Sequence, residues 1–540
     1  MRKNKEGITK SFWTVLYNSQ EGFLKSHLLY LLALITVFVS VQNHVFKEEI
    51  DLNGDNATYY IGATAIHQGD GYTNIMTPTK PKTNRFPPGY PFLMSLVMKV
   101  SDTFVAQKVF NSILLGLSCL LLYFIVFEFS RNKLTSLTIS LLPTLNYLIL
   151  HFSTMMMSET SFIAFSMLSF FALFKLREND DFISILKDPY FYILVITSTY
   201  AYHIRTQGIS LIVAFIVFFL IKKKWKHSLS YLCGFIICAL PWMIRNKLAG
   251  IGSSRYLHQV LAVNHWRPEE GSMTFGGLIK RMFSTSEMLI TKAIPDSIIP
   301  NYTVNYAGSS TVFTWIIGIL IISLIIFGFW KYFKANMWIF ISYIVFSCGV
   351  ITLWSAPSGN RYLVSIIPLL QMGLLLGIIS IIKQILTSQL HKKMKINYVL
   401  IPLIFILSFY FLKDIRQISE ENNRKIHPAY KNFFLIGKAL KKEYPKGDIV
   451  VSSRKPSLLY LYSGSYGTRF SYSLNDTIVI NNLLNSNVDY VILDQLGYSS
   501  TSRYLLPAIQ KNQKLFKTVK HLKNPDTYLL WFDKEKAKYR

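Results

Sequence analysis

The sequence predicts an α-helical polytopic membrane protein carrying a small C-terminal α/β domain. Three observations lead there. Of 540 residues, 51% are hydrophobic and only 16% charged, with mean hydropathy +0.30. Apolar runs of about twenty residues, the length of a membrane-crossing helix, recur along the chain. From about Lys413 those runs stop and short strand and helix patterns alternate instead.

Residues 1–27 are basic and partly amphipathic. Phe12, Trp13, Leu16 and Phe23 can share one apolar face, which suits a helix lying on the inner membrane surface. The run from Leu28 to Phe46 is too long for a signal-peptide core and lacks an A-x-A cleavage site, so it reads as an uncleaved first span. Ten further runs, centred from Leu115 to Ile404, bring the expectation to about eleven spans over residues 28–412. Basic clusters at Arg131/Lys133, Lys175/Arg177, Lys222–Lys226, Lys331/Lys334 and Lys392/Lys393/Lys395 then fall on the side of the N-terminus. By the positive-inside rule the N-terminus is cytoplasmic and the C-terminus outside.

The outer side receives a first loop (47–105), a second long loop (247–310) and the domain 413–540. In that domain Asp448–Ser453, Tyr490–Gln495 and Thr527–Phe532 read as strands. Phe433–Tyr444, Pro456–Tyr462 and Ser502–Asn512 read as the helices between them, and Gly464–Gly467 reads as a turn without phosphate-loop spacing.

The net charge of +28 points to anionic lipid headgroups, since no nucleic-acid-binding motif accompanies it. The four cysteines lie within apolar runs and offer no outer disulfide or C-x-x-C pair. The outer histidines show no metal-ligand spacing. No cofactor is implied, and a need for a divalent metal stays open. A glycan on the sequon at Asn56 would crowd Asp55, which favours a bacterial plasma membrane.

The stretch Asp51–Pro91 is polar, punctuated by Gly and Pro, and longer than an ordinary connector. Pro87, Pro88, Gly89 and Pro91 fix its direction into a helix. A structured cap over the bundle explains these residues equally well. Ionisable groups at outer span ends add a second signal: Asp55, Arg85, Glu159, Arg205, Arg245 and Arg361, with Asn246 beside them. Arginine's planar fork suits phosphate oxygens. Snorkelling to lipid phosphates is the plain alternative for each arginine, and a buried partnership with one of them is the alternative for Glu159.

R-F-P-P-G-Y-P from Arg85, S-E-T from Ser158, H-I-R-T-Q-G from His203, P-W-M-I-R-N from Pro241 and R-Y-L-V-S-I-I-P from Arg361 follow a polar, acidic first loop. In that order and on one side, they resemble the glycosyltransferase C superfamily, in the branch of protein O-mannosyltransferases and the lipid A aminoarabinose transferase. The resemblance implies an inverting transferase taking a sugar from a polyprenyl-phosphate donor to a lipid, glycan or protein acceptor at the outer leaflet. It implies Asp55 as catalytic base. Many relatives carry a second acid beside it, where this chain has Asn56. Loop 247–310 resembles a mobile loop that closes over the donor.

Such a donor leaves as phosphate, which needs positive charge rather than an acid. Arg85, Arg205, Arg245 and Arg361 are the candidates to supply it. The attacking hydroxyl needs a base, and a single carboxylate fits inversion. Glu159, Tyr59, Tyr60, Asn246 and Tyr362 are expected to bind substrate or support the site. A transporter or flippase of an anionic lipid or sugar is the alternative, but it calls for charges or broken helices near the midplane. A non-catalytic scaffold or sensor is the third class.

Overall fold

The computed structural model describes residues 26–177, 181–252, 254–302, 304–355, 360–390 and 397–539. The amphipathic face expected at Phe12–Phe23 and the basic cluster at Lys392–Lys395 lie outside them.

The chain is mostly helical. Among the described residues, Ser26–Val45, Phe104–Ser130, Trp225–Leu248, Val312–Thr352 and Ile367–Ile385 are long and apolar enough to cross a membrane. Lys133–Leu145 and Tyr147–Ser153, bent by 62°, make a sixth if taken as one span. Each of the eleven apolar runs falls on a helix, but among the described residues five or six stretches meet the length and hydropathy of a full crossing. The difference lies in helices such as Glu159–Lys175 (17 residues), Pro189–Ile204 (16) and Ile209–Ile221 (13). At 1.5 Å per residue these reach roughly 20–26 Å, short of a hydrocarbon core of about 30 Å. Val312–Thr352 itself breaks at Lys334–Asn336 into two helices. The 62° bend has a local cause. Asn146 leaves the helical conformation, its side chain accepts from Ile149 N at 3.1 Å, and its amide donates to Ser297 O at 2.8 Å.

One helix pair shows why small residues sit where they do. Val312–Phe333 lies against Ile367–Leu390, and a Cβ on Gly328 would stand 2.1 Å from Gly373 O and 2.6 Å from Gly377 N. Gly373 and Gly377 form a G-x-x-x-G seam, which lets the two backbones touch.

The C-terminal unit holds a five-stranded sheet of β1 (Val450–Ser452), β2 (Tyr466–Thr468), β3 (Tyr490–Leu493), β4 (Phe516–Leu522) and β5 (Thr527–Phe532), in the order β2-β1-β3-β5-β4. The first three are parallel, while β5 and β4 run antiparallel to their neighbours. Three strands coincide with the expected ones. The Gly464–Gly467 turn instead runs into β2, and β4 was not expected, because its residues are mostly exposed and polar. Lys517 and Lys520 mark β4 as a charged sheet edge.

This unit sits on the first loop. The Thr58 and Ser457 hydroxyls are 2.8 Å apart, Gly467 N donates to Met76 O at 2.9 Å, and Lys455 Nζ donates to Asn53 O. The second long loop joins it as well: Tyr504 OH donates to Glu269 Oε2 and Arg503 Nε to Glu269 Oε1, both at 2.8 Å. Within that loop, Arg281 donates to Val260 O at 2.7 Å and Ala262 O at 2.5 Å and holds the loop's own turns together.

Candidate active site

Asp55 opens a helix, Asp55–His67, directly after Gly54. Gly54 has φ 93°, a left-handed conformation natural to glycine. Its N–H donates to Asn56 Oδ1 at 2.9 Å, and Asn56 Nδ2 donates to Asp51 O at 2.8 Å. Asn56 is fully buried. Beside Asp55 this chain therefore uses a neutral amide to close the turn that presents it.

The Asp55 carboxylate faces Arg361, with Oδ2 to Nη2 at 3.4 Å. Arg361 Nε reaches Glu159 Oε1 at 3.2 Å, and Arg205 Nη1 reaches the same oxygen at 2.8 Å. Arg205 Nη1 also donates to Ser158 Oγ at 3.1 Å, and the Tyr59 hydroxyl lies 3.2 Å from that Oγ. Four motifs far apart in sequence thus meet in one chain of alternating charge. Glu159, 1% exposed, is its anchor, whereas Asp55 keeps 32% of its side chain exposed. Burial works against the Arg361 charge, but the Glu159 and Asp55 carboxylates outweigh it and hold its pKa above the ordinary arginine value. The Phe152 ring lies 5.6 Å from the guanidinium.

The other acids of the first loop have different tasks. Asp51 is buried beside Lys108 at 3.6 Å, and Asp70 pairs with Lys80 at 2.8 Å.

Not every expected site residue joins the cluster. Arg245 donates to Thr83 O at 2.8 Å and Tyr72 O at 2.5 Å, to Asn246 Oδ1 at 2.9 Å, and lies 4.8 Å from the Trp242 ring. It ties the first loop to the helix Trp225–Leu248, and Asn246 is its partner. Three of its N–H donors thus go to protein oxygens, where a phosphate ligand was expected. Arg85 lies over Phe86 at 5.7 Å and lines a separate cavity. The Tyr60 hydroxyl donates to Asp102 O, which fastens the Asp55 helix to the start of the Phe104 helix. Tyr362 accepts through its backbone oxygen from Gln207 Nε2 at 3.1 Å.

The sequence reading named Ser158 only within the S-E-T segment and missed Phe152, Lys455 and Asn360. Asn360 precedes Arg361 and donates to Asp296 Oδ2 at 2.5 Å. Its adjacency to Arg361 was the available signal. Lys455 lies in another domain and had none. Among the described residues no three His, Cys, Asp or Glu side chains gather as a metal site, and the Asp55–Glu159 pair is bridged by a guanidinium.

The fold matches solved structures over nearly its whole length. ArnT from Cupriavidus metallidurans bound to undecaprenyl phosphate is similar with a TM-score of 0.57, covering 94% of this chain and 98% of that one at 9% identity. The same protein in the apo state also gives 0.57, covering 95% and 98% at 10% identity. No curated protein sequence matches. In fold the chain is thus similar to ArnT, and in sequence one stretch is similar to a mannosyltransferase family. More particularly, residues 85–244 match the family model of dolichyl-phosphate-mannose-protein mannosyltransferases. That stretch carries the F-P-P-G-Y-P, S-E-T and H-I-R-T-Q-G segments. Asp55 and Arg361 lie on either side of it.

Proposed function

We propose that this protein transfers a sugar from a polyprenyl-phosphate donor to an acceptor hydroxyl at the outer face of a bacterial plasma membrane. The acceptor is a lipid, a glycan or a protein. The N-terminus is cytoplasmic and residues 413–540 lie outside. The observation that carries the reading is the Asp55–Arg361–Glu159–Arg205 chain, in which an accessible carboxylate and a partly exposed guanidinium share one site.

Arg361 caps Asp55 until the donor arrives. The donor phosphate then takes the guanidinium, which stabilises the departing charge. Asp55, released, accepts the acceptor's hydroxyl proton as its oxygen attacks C1. The C1–O bond to phosphate breaks with its electron pair leaving on the phosphate, and the new C1–O bond forms with inversion. Glu159 holds both arginines and stays out of the chemistry. A transporter would need its charges along a path at the midplane. Here they are gathered beside a structured loop capped by a folded domain.

The decisive experiment compares envelope lipids and glycans by mass spectrometry from cells with the wild-type chain, Asp55→Asn, or none. Asp55→Asn should lower transfer about 10²–10⁴-fold with donor affinity little changed. Transfer by Asp55→Asn at the wild-type rate removes Asp55 as base. Cysteines at Trp266 and Lys446, but not at Lys224, should react with an impermeant thiol reagent on intact cells, and the reverse pattern overturns the sidedness.

A further inference from the structure

The parallel strands β2, β1 and β3 end on one edge of the C-terminal sheet, and chain order reverses there, since β1 leads first to β2 on one side and then to β3 on the other. In open α/β sheets the loops at such a reversal form a crevice that takes ligands. Here they contribute Ser453–Lys455 after β1, Arg469 after β2 and Asp494–Ser500 after β3.

Arg454 is the unusual member. It is 6% exposed, its Nε has no hydrogen-bond partner, and it forms no ion pair among the described residues. Its guanidinium carbon lies 4.2 Å from the Tyr498 ring, 5.6 Å from Trp266 and 5.8 Å from Tyr472. Rings attract a cation, but they accept no N–H in the guanidinium plane, and a buried cation without a carboxylate is costly. The Ser453 and Ser500 hydroxyls and the Tyr472 hydroxyl, at the same edge, are also buried without partners. Asp494 is the nearby acid. Its Oδ1 accepts from Leu496 N and Thr501 Oγ1, and its Oδ2 has no partner. Arg469 lies 6.0 Å from the same Tyr472 ring and lines a cavity of about 320 Å³ between this edge and the first loop, with Thr58, Tyr72, Arg85 and Thr468.

We propose that this edge is an anion-binding site, in which Arg454 and Arg469 receive a phosphate or carboxylate borne by a hydroxylated, sugar-like acceptor. The acceptor's body occupies the cavity beside Thr58, three residues from Asp55. The acceptor role rests on the transfer reaction proposed above, whereas the anion site stands without it. A free phosphate and the phosphorylated headgroup of a membrane lipid offer the same chemistry.

The test is a titration of the detergent-solubilised full chain by thermal melting. Inorganic phosphate is compared with chloride at matched ionic strength, and with micelles doped with phosphatidic acid. Wild type, Arg454→Gln, Arg454→Lys, Arg469→Gln and the surface control Lys446→Gln are each examined. All are repeated in an Arg361→Ala background to remove phosphate held at the donor end. Phosphate should stabilise the wild type and Lys446→Gln. Arg454→Gln should weaken that response about ten- to a hundred-fold in concentration, with Arg454→Lys between them. Protection by phosphatidic acid alone assigns the site to a lipid headgroup, and protection by both assigns it to phosphate in either source. Equal responses in wild type and in both Arg454→Lys and Arg469→Gln, or equal protection by chloride, overturn the proposal even where Arg454→Gln does not fold. In the Arg361→Ala background, adding Asp55→Asn should leave phosphate binding unchanged, so loss of transfer and loss of anion binding report separately.

Discussion

Neutralising Glu159 strikes two cations at once. Its Oε1 accepts from Arg205 at 2.8 Å and from Arg361 at 3.2 Å, at a residue 1% exposed. Removing one partner of a buried pair costs about 3–5 kcal/mol. Arg361 is about a quarter exposed and keeps Asp55 at 3.4 Å, so its share is closer to the 0–1 kcal/mol or so of a solvated pair. Arg205, 13% exposed, carries most of the loss. Glu159→Gln preserves shape and one acceptor oxygen and should cost about 3 kcal/mol. Denaturation of the purified chain, with Arg205→Met and the double variant, measures it. The double variant should lose less than the sum of the singles by at least about 1 kcal/mol. Transfer should fall too, since Arg361 loses its anchor. Wild-type stability in Glu159→Gln, or strict additivity, would refute the view that this carboxylate organises the site.

Arg361→Ala should reduce donor-dependent turnover about ten- to a hundred-fold, and Arg361→Lys should restore only part because a point charge cannot fork; unchanged donor kinetics would leave Arg361 a structural cation. Burial pushes the Asp494 carboxyl up to about 6 from an unfolded value near 3.9. A raised folded-state pKa stabilises below the unfolded value and loses that stability as pH climbs through about 6, here about 3 kcal/mol in all. Asp494→Asn should therefore melt higher than wild type at pH 7–8 and show a flatter curve from pH 4 to 7, and parallel curves would show that Asp494 does not titrate this way.

Sequence patterns carried the helical membrane class, the order of the motifs and the three strands with apolar residues, because burial writes itself into periodicity. They also singled out Asp55, Glu159, Arg205 and Arg361, which the fold brings together. Their pairing was illegible, since Glu159 and Arg361 are 202 positions apart. Arg245 shows the limit most plainly. An arginine at a span end looks the same whether it awaits a phosphate or grips backbone oxygens 162 and 173 positions away. Strand β4 escaped notice because its outward lysines erase the alternation that marks a half-buried strand, and the bend at Asn146 hides inside a continuous apolar run.

The bond from Lys455 to Asn53 sets a schedule for biogenesis. Its two ends are 402 positions apart. The turn that presents Asp55 leaves the ribosome early, then waits for Lys455, which at about 5–20 residues per second arrives roughly 20–80 s later. During that interval the bundle can enter the membrane while the Asp55 turn lacks its final support. A chain stopped short of Lys455 would hold every residue of the charged cluster and still lack the clamp beneath it. Completion of the site thus waits until synthesis has passed Lys455.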